Sequence, residues 1–236
     1  MPWICFGKSA IRYQGMGSFS REFISIVAGA GDAWLKIISG LLSNNATVIV
    51  PVKSYDELQL LKEVTAPVTT GELVTLLTDL SDYNKAAGFL EDIKACFGNI
   101  DLIVLVFDND CPDNPLTEVS YTEWERMVHD SISACFIAGK IILQSMKRQT
   151  HGMYITISNT PSPAHGNLSS LAAIAGCMQA ELSKLFAAEV KLYGIKYYHV
   201  FTDPAQEDGH HVARYIIQLY KNEVKHPENT FQIISA

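Results

Sequence analysis

The chain has 236 residues, a formal net charge of −7, 48% hydrophobic residues and 18% charged residues. This length and composition suit one globular domain and exclude a disordered chain. The negative charge and the lack of a lysine or arginine cluster argue against a nucleic-acid partner. The five scattered cysteines favour free thiols in a reducing compartment. With no secretion signal or membrane-length apolar run, we predict a cytoplasmic protein without a membrane partner.

The first 22 residues precede the first predicted strand, and their glycine-containing middle at 15–18 is typical of a turn or a loose arm. No internal repeat, low-complexity segment or linker divides the rest of the chain. We therefore predict a leader or arm at 1–22 and a single domain at 23–236.

The stretch that organises the domain is 24–35, where a β-branched run ends in a glycine-bearing turn and a helical pattern follows at once. A strand, a glycine turn and a helix open a dinucleotide-binding βαβ unit, because amides at the helix start cradle the pyrophosphate. Gly29 and Gly31 are the only glycines of this turn. A lone G-x-G is weak support for nucleotide binding.

The residues after these glycines disfavour a nucleotide. Ala33 and Leu35 stand where the backbone must approach the phosphates closely. Asp32 is predicted at the N-cap, where its carboxylate satisfies the helix amides and repels a phosphate by about 4 kcal/mol at ~4 Å and an effective dielectric constant of ~20. We therefore expect no cofactor. If the nucleotide site is retained nonetheless, Lys53 and Ser54 after the second strand suit NADP slightly better than NAD.

The remaining elements alternate regularly between strands and helices. This alternation predicts a three-layer, Rossmann-like, doubly wound α/β domain with a mainly parallel, seven-stranded sheet. The most apolar strand suits a central position, buried on both faces. After the first strand and helix, the predicted strands lie at 46–52, 72–77, 102–107, 153–157, 196–201 and 230–234, and the predicted helices include 122–147, 168–190 and 211–222.

Several connecting segments resemble, in their order and spacing, those of the short-chain dehydrogenase/reductase family. The resemblance covers nearly the whole chain from residue 24. It implies the fold predicted above, a nicotinamide nucleotide as cofactor and oxidoreductase chemistry. The matching segments are DLSD at 79–82, GNIDLIV at 98–104, WERM at 124–127, GMYITIS at 152–158, LFAAEV at 185–190 and GIK at 194–196.

The family's catalytic positions, located through this resemblance, fall on unsuitable residues. Family members use an Asn, a Ser and a Tyr-x-x-x-Lys pair, whose lysine lowers the tyrosine pKa for proton transfer. These positions correspond here to Ser131, Asn159, Ala172 and Gly176, and Lys184 lies two helical turns beyond the lysine position. We therefore predict a catalytically degenerate member of the family.

Two weaker catalytic candidates lie near the vacated positions. Ser158 precedes the family's serine position by one residue, and His165 lies in the loop that follows. A Ser–His pair in nucleophilic catalysis needs an orienting third group, and the sequence identifies none.

Acidic residues mark two loops at the predicted carboxyl edge of the sheet. In a surviving nucleotide site, Asp79 and Leu80 would flank the adenine and Asp108 would lie beside the cofactor. Asp108, Asp110 and Asp113 also form a D-x-D-x-x-D run, which suits a hard cation. The run lacks the glycine and later glutamate of a calcium loop, so we predict a solvated loop and no metal.

The two long helices at 122–147 and 168–190 are apolar on nearly every side, so each must be buried on nearly every side. In the resembled family these helices form a dimer interface. We therefore predict a homodimer or homotetramer through them, or assembly with an active relative. Burial under loops of one monomer is the alternative.

Three functions remain open from the sequence. The first is a non-catalytic or repurposed family member that acts through assembly. The second is an NAD(P)-dependent oxidoreductase that uses unorthodox residues such as Ser158 or Ser131. The third is a non-redox enzyme that uses the old cleft through His165 or the loop at Asp108.

Overall fold

The structure is a computed structural model that describes residues 3–6, 9–13, 23–107, 111, 114–159, 170–202, 209–224 and 230–232, with the backbone alone at 3–6, 9–13, 32, 159 and 230–232. The strands are β1 Trp3–Phe6, β2 Ser9–Tyr13, β3 Ile24–Gly29, β4 Thr47–Val52, β5 Glu72–Leu77, β6 Leu102–Phe107, β7 Gly152–Asn159, β8 Ile195–Thr202 and β9 Thr230–Gln232. The α-helices are α1 Gly31–Ser43, α2 Tyr55–Thr65, α3 Tyr83–Phe97, α4 Tyr121–Met127, α5 Ala134–Gln149, α6 Ser170–Val190 and α7 Gly209–Tyr220.

The described strands form one sheet in the order β1-β2-β5-β4-β3-β6-β7-β8-β9. From β5 to β9 every neighbouring pair is parallel. This confirms the predicted doubly wound, mainly parallel sheet, and its seven parallel strands are the seven predicted ones. The chain leaves β3 toward β4 on one side and returns to β6 on the other. The carboxyl ends of β3, β4 and β6 therefore form a topological switch point, where open α/β sheets bind ligands.

The first 22 residues contribute two strands that the sequence did not predict. β1 pairs antiparallel with β2, and β2 pairs antiparallel with β5 at the edge of the sheet. The structure thus differs from a loose arm, since backbone pairing joins these nine residues to the domain. The predicted turn at 15–18 lies outside the described residues.

Two apolar clusters, one on each face of the sheet, form the core. One cluster joins the sheet to α1, α2 and α7, and the other joins it to α3, α5 and α6. Alternate residues of β6 serve the two clusters, and its first five are buried. Both faces of β6 therefore pack in the apolar core, one in each cluster. This burial, with parallel neighbours on both sides, confirms the central position expected for 102–107.

The predicted helix at 122–147 is interrupted. A capping box at Ser120 and Glu123 starts α4, and a π-helical segment at Val128–Ser133 separates α4 from α5. Such wider turns often lie at functional sites because they redirect side chains. Here the π-helical segment carries Asp130 and Ser131, which line the cleft described below.

Helix α6 is the longest helix of the described part of the chain. Together with the turn that follows, Ser170–Tyr193 is long and apolar enough to span a membrane by length and composition. In this fold 44% of the apolar 18-residue stretch within it is buried. Core helices meet the same criteria, so the observation is weak support for a membrane segment.

Candidate functional site

A cleft of about 220 Å³ lies at the switch point of the sheet. Four of the residues predicted for the site line it, namely Gly29, Lys53, Leu80 and Ser131. The sequence reasoning missed the other polar residues of its wall, which are Glu57, Thr78, Ser81 and Asp130. The cleft therefore lies at the end of the sheet where the βαβ pattern predicted a nucleotide.

The glycine turn has a packing requirement of its own. Gly29 has φ +150°, and a Cβ atom there would lie 2.3 Å from the carbonyl oxygen of Val106 on β6. Gly31 has φ +83°. Both values favour glycine over residues with side chains. The two glycines are thus explained by the backbone, and their presence alone does not demonstrate a phosphate site.

The start of α1 corrects two predictions. The helix begins at Gly31, and its N-cap is Ala30 in an extended conformation, so the predicted N-cap role of Asp32 is wrong. Ala30 has no side-chain acceptor for the helix amides. Leu35 is buried in the apolar cluster beneath α1 and is not among the residues that line the cleft. Its side chain therefore packs in the core rather than against the position expected for the phosphates.

Ser54 and Glu57 organise the rim after β4. Ser54 is the N-cap of α2, and its hydroxyl accepts a hydrogen bond from the Glu57 amide at 3.1 Å. A carboxylate oxygen of Glu57 accepts a hydrogen bond from the backbone amide of Lys53 at 2.6 Å. Lys53 and Glu57 line the cleft, whereas Ser54 serves the helix start. The rim consequently carries both a cation and an anion, where the sequence prediction considered only the cation.

Asp79 supports the loop after β5, which borders the cleft. Its carboxylate accepts hydrogen bonds from the Ser81 hydroxyl at 2.7 Å and the Ser81 amide at 3.0 Å. Burial alone would raise the pKa of Asp79. The hydrogen bonds from Ser81 and the positive charges of Lys53 and Lys85 outweigh this effect, so the pKa is lowered overall. Leu80 lines the cleft beside it. Asp79 is therefore an ionised loop anchor.

The positions on α6 that the resemblance assigns to the family's tyrosine and lysine are buried. Ala172 and Gly176 are both buried on the inward face of the helix. Lys184 projects from the other side, where it lies 3.0 Å from Glu181 with 58% of its side chain exposed. Lys184 therefore does not replace the family's lysine, and the described residues contain no Tyr-x-x-x-Lys pair.

A buried polar network lies beneath α6. His199 on β8 has no exposed surface. Its Nδ1 lies 2.7 Å from the Thr156 hydroxyl and 3.2 Å from the Ser183 hydroxyl, and its Nε2 lies 3.2 Å from the Ser158 hydroxyl. Burial lowers the pKa of His199 to about 4, and the positive charge of Lys184 contributes. The imidazole is thus neutral and satisfied by hydroxyl groups.

Ser158, a predicted weak catalytic candidate, belongs to this network and is 1% exposed. Tyr197 donates a hydrogen bond from its hydroxyl to Ser183 at 3.1 Å. Burial raises the pKa of Tyr197 and also the pKa of Tyr154, whose ring packs 5.0 Å away. Neither tyrosine is among the residues that line the cleft. Both therefore belong to the core beneath α6.

Six predicted residues are not tested by this geometry. The side chains of Asp32 and Asn159 lie outside the described residues, as does the whole of Asp108, Asp110, Asp113 and His165. Within the part of the chain that is described, no group of three or more His, Cys, Asp or Glu side chains is arranged for a metal.

The strand order, the helices on both faces and the cleft at the switch point define the Rossmann class of α/β proteins. A family model described as short chain dehydrogenase matches residues 24–205. The chain therefore belongs to the short-chain dehydrogenase/reductase family, as its connecting segments predicted.

The 3-oxoacyl-[acyl-carrier-protein] reductase FabG of Escherichia coli (strain K12) is 28% identical over 178 residues, which are 73% of this chain and 69% of that relative. The FabG of Salmonella typhimurium is 29% identical over 125 residues, 51% of this chain and 49% of that relative. Both are similar to this chain over the family domain.

Solved structures agree on the fold at lower identity. Levodione reductase superposes with a TM-score of 0.80 at 16% identity, covering 91% of this chain and 96% of that one. A metagenomic short-chain oxidoreductase in complex with NADP gives a TM-score of 0.73 at 18% identity, covering 92% and 97%. The NADP belongs to that structure, and the likeness extends to the fold of this chain.

Proposed function

We propose that this chain is a short-chain dehydrogenase/reductase subunit that does not perform the family's tyrosine-based proton transfer and acts through assembly. The observation that carries the proposal is the pair of small, buried residues Ala172 and Gly176 at the positions of the family's tyrosine and lysine. A methyl group and a hydrogen atom cannot donate or stabilise a proton. The other tyrosines beneath α6 are held neutral in the core by burial.

The outward face of α4, α5 and α6 supports the assembly role. Trp124, Phe136, Met178 and Leu185 are between 37% and 59% exposed. The Phe136 ring on α5 stacks on Phe186 of α6 at 6.3 Å, so α5 and α6 present these side chains from adjacent helices. Large apolar side chains grouped on one face favour an interaction surface.

The occupant that fits this face best is a second copy of the chain. Glu181 and Lys184 form an ion pair between Met178 and Leu185 on the outer side of α6. If two α6 helices pack antiparallel across a twofold axis, each acid faces the partner's lysine and each apolar side chain faces apolar surface. The face is thus self-complementary in charge and in polarity.

The oligomeric state of purified protein tests this assembly. We expect a dimer or tetramer by light scattering and native mass spectrometry, and a monomer with unchanged far-ultraviolet circular dichroism for Leu185→Glu. Leu192→Glu is the matched control, because Leu192 is 93% exposed and lies beyond α6. A monomeric unaltered protein, or an intact oligomer of Leu185→Glu, would contradict self-assembly. Assembly only after addition of an active family member would favour that relative as the partner.

The absence of proton-transfer chemistry is tested with the substrate class of the similar reductases, a 3-oxoacyl thioester. We expect no oxidation of NADPH or NADH above the rate without protein, while the Escherichia coli reductase serves as the positive control. Turnover that Ser158→Ala abolishes would instead establish the alternative oxidoreductase with unorthodox residues.

A specific observation favours nucleotide binding as a second retained property. The cleft at the switch point is open beside Gly29 and the start of α1, whose N-cap Ala30 brings no competing carboxylate. Its described lining comes from the ends of β3, β4 and β6, α2, the loop after β5 and the residues 130–138. This is the switch point at which folds of this class bind nucleotides. Calorimetric titration with NADH and NADPH tests this property, and saturable binding without turnover is the expected result.

A further inference from the structure

The edge of the sheet opposite the cleft carries a cationic surface around one protruding apolar side chain. Helix α5 ends just before β7 and helix α6 ends just before β8, so the two connecting turns both lie at the amino edge of the sheet. The turns lie side by side, because a Cβ atom at Gly194 would be 2.9 Å from the carbonyl oxygen of Thr150. We call this surface the basic rim. It consists of residues that are all at least partly exposed, namely Lys147, Arg148, Lys191, Leu192, Tyr193 and Lys196.

Leu192 is the apolar tip of the basic rim. It is 93% exposed in the turn Lys191–Tyr193 that follows α6. Tyr193 beside it is 43% exposed, and the Lys147 ammonium nitrogen lies 5.2 Å from the centre of its ring. Leucine favours an apolar environment over water, and the apolar ring and polar hydroxyl group of a tyrosine suit the boundary between water and lipid. The tip therefore has the composition of a protein segment that enters the headgroup layer of a bilayer.

The charge of the basic rim is opposite to that of the whole chain. The chain carries a formal net charge of −7, whereas the segments 147–152 and 189–196 together contain four cations and one acid, Glu189. Glu189 is paired with Lys147 at 3.3 Å. Asp101, at the same edge of the sheet, is half-buried and accepts a hydrogen bond from the Ile24 amide at 2.9 Å. The basic rim is therefore a local cationic surface on an acidic protein.

We propose that the basic rim docks this protein on the surface of an anionic phospholipid bilayer, with Leu192 and Tyr193 in the headgroup layer. Lipid fits the rim better than an acidic protein segment does, because a bilayer receives a protruding side chain without a preformed pocket. Docking at this edge leaves the cleft, at the opposite edge, open to solvent. The contact is peripheral and needs no spanning segment. It therefore departs from the expectation of a protein without a membrane partner, since that expectation rested on the lack of a membrane-length apolar run.

Co-sedimentation with vesicles tests the proposal. The vesicles consist of phosphatidylcholine alone or of an equal mixture of phosphatidylcholine and phosphatidylserine. We expect the unaltered protein to bind the mixed vesicles at least about tenfold more tightly, because each cation near an anionic surface contributes about fivefold. This binding is expected to weaken as the salt concentration rises, since salt screens the charges of the rim. Equal binding to the two kinds of vesicle, or binding to neither, would overturn the inference.

Two substitutions test the charge and the apolar tip separately. Lys191→Gln is expected to weaken binding to the mixed vesicles about fivefold, and Leu192→Ser about tenfold. Both residues lie in an exposed turn beyond α6, so the far-ultraviolet circular dichroism is expected to stay unchanged. Lys85→Gln and Leu116→Ser are the matched controls, because both residues are exposed and lie in segments that follow the carboxyl ends of β5 and β6. These controls are expected to bind like the unaltered protein.

A structural role of these residues is distinguished from docking by their place in the chain. Lys147 and Arg148 lie in the last turn of α5, where cations also stabilise the end of a helix. Lys191 and Leu192 lie beyond α6, so a loss of vesicle binding in their variants at an unchanged free energy of unfolding supports docking. If these two variants bind the mixed vesicles like the unaltered protein, the inference is wrong. Retention on immobilised polyglutamate without binding to either kind of vesicle would assign the rim to an acidic protein and overturn the membrane inference as well.

Discussion

The two halves of the sheet's carboxyl edge treat their polar side chains in opposite ways. Over β3, β4 and β6, polar groups such as Lys53, Glu57 and Ser81 face an open cleft. Over β7 and β8, the hydroxyl groups of Thr156 and Ser158 are buried beneath α6 and are hydrogen-bonded to His199. The first half presents polar groups to an open cleft, whereas the second half holds a buried network that belongs to the core.

This difference is compatible with the proposed loss of the family's catalytic pair, because the region beneath α6 is satisfied without it. A lysine and a tyrosine at the vacated positions would need partners in a largely dry environment. Ala172 and Gly176 remove that requirement, and the hydroxyl groups of Thr156, Ser158 and Ser183 are satisfied by the neutral imidazole. The network therefore links α6 to β7 and β8 without any charged group.

The largest effect is expected when the histidine at the centre of the network is removed. His199→Ala leaves a cavity and unpaired buried hydroxyl groups, so we expect the free energy of unfolding to fall by about 4 kcal/mol. Urea denaturation followed by circular dichroism measures the change. His151→Ala, at an exposed position, is the control with a change near zero. A loss below about 1 kcal/mol for His199→Ala would show that the network contributes little to the packing of α6.

A smaller effect is expected from pH. Burial lowers the pKa of His199 to about 4 from 6.5 in an unfolded chain, so the unfolded state binds the proton more readily between these values. The contribution of the neutral imidazole is complete above pH 6.5 and is lost progressively as the pH falls to about 4, a total of about 3 kcal/mol. The measurement is the difference in unfolding free energy between pH 7 and pH 4, compared in unaltered protein and His199→Gln. Parallel pH profiles for the two proteins would refute the assignment, and His151→Gln provides the control for an exposed histidine.

The sequence predicted the fold well because period and spacing determine it. The seven parallel strands followed from short apolar runs at regular intervals, and the centrality of 102–107 followed from its lack of polar residues. The hairpin of β1 and β2 was missed, since a strand at a sheet edge depends on a partner, β5, that is distant in sequence. At α1, the preference of Asp for N-caps indicated Asp32, but backbone geometry placed the N-cap two residues earlier, at Ala30.

The candidate site was predicted less completely. The Ser-x-x-Glu spacing of Ser54 and Glu57 is a visible capping signal, yet the reach of the carboxylate to Lys53 depends on how β4 meets α2. The network beneath α6 required the register of two strands, because Thr156 is paired with His199 across β7 and β8. Alternation along β8 places Tyr197 and His199 on one face, and this was the available signal for the network.

The smallest effect is expected on the cleft side, at Gly29. A Cβ atom at this residue would lie 2.3 Å from the carbonyl oxygen of Val106 and 2.7 Å from its Cβ atom, and φ is +150°. Gly29→Ala is therefore expected to lower the free energy of unfolding by about 2 kcal/mol, as β3 and β6 move apart locally. Gly88→Ala is the matched control, because nothing lies within 4 Å of a Cβ at this helical position and the change is expected to stabilise by about 0.5–1 kcal/mol. Chemical denaturation of both variants, with adenosine 5′-monophosphate titration of the folded proteins, tells whether the turn serves packing alone. If Gly29→Ala keeps its stability but loses the nucleotide, the turn serves the ligand rather than the sheet, and the explanation of Gly29 by backbone packing is wrong.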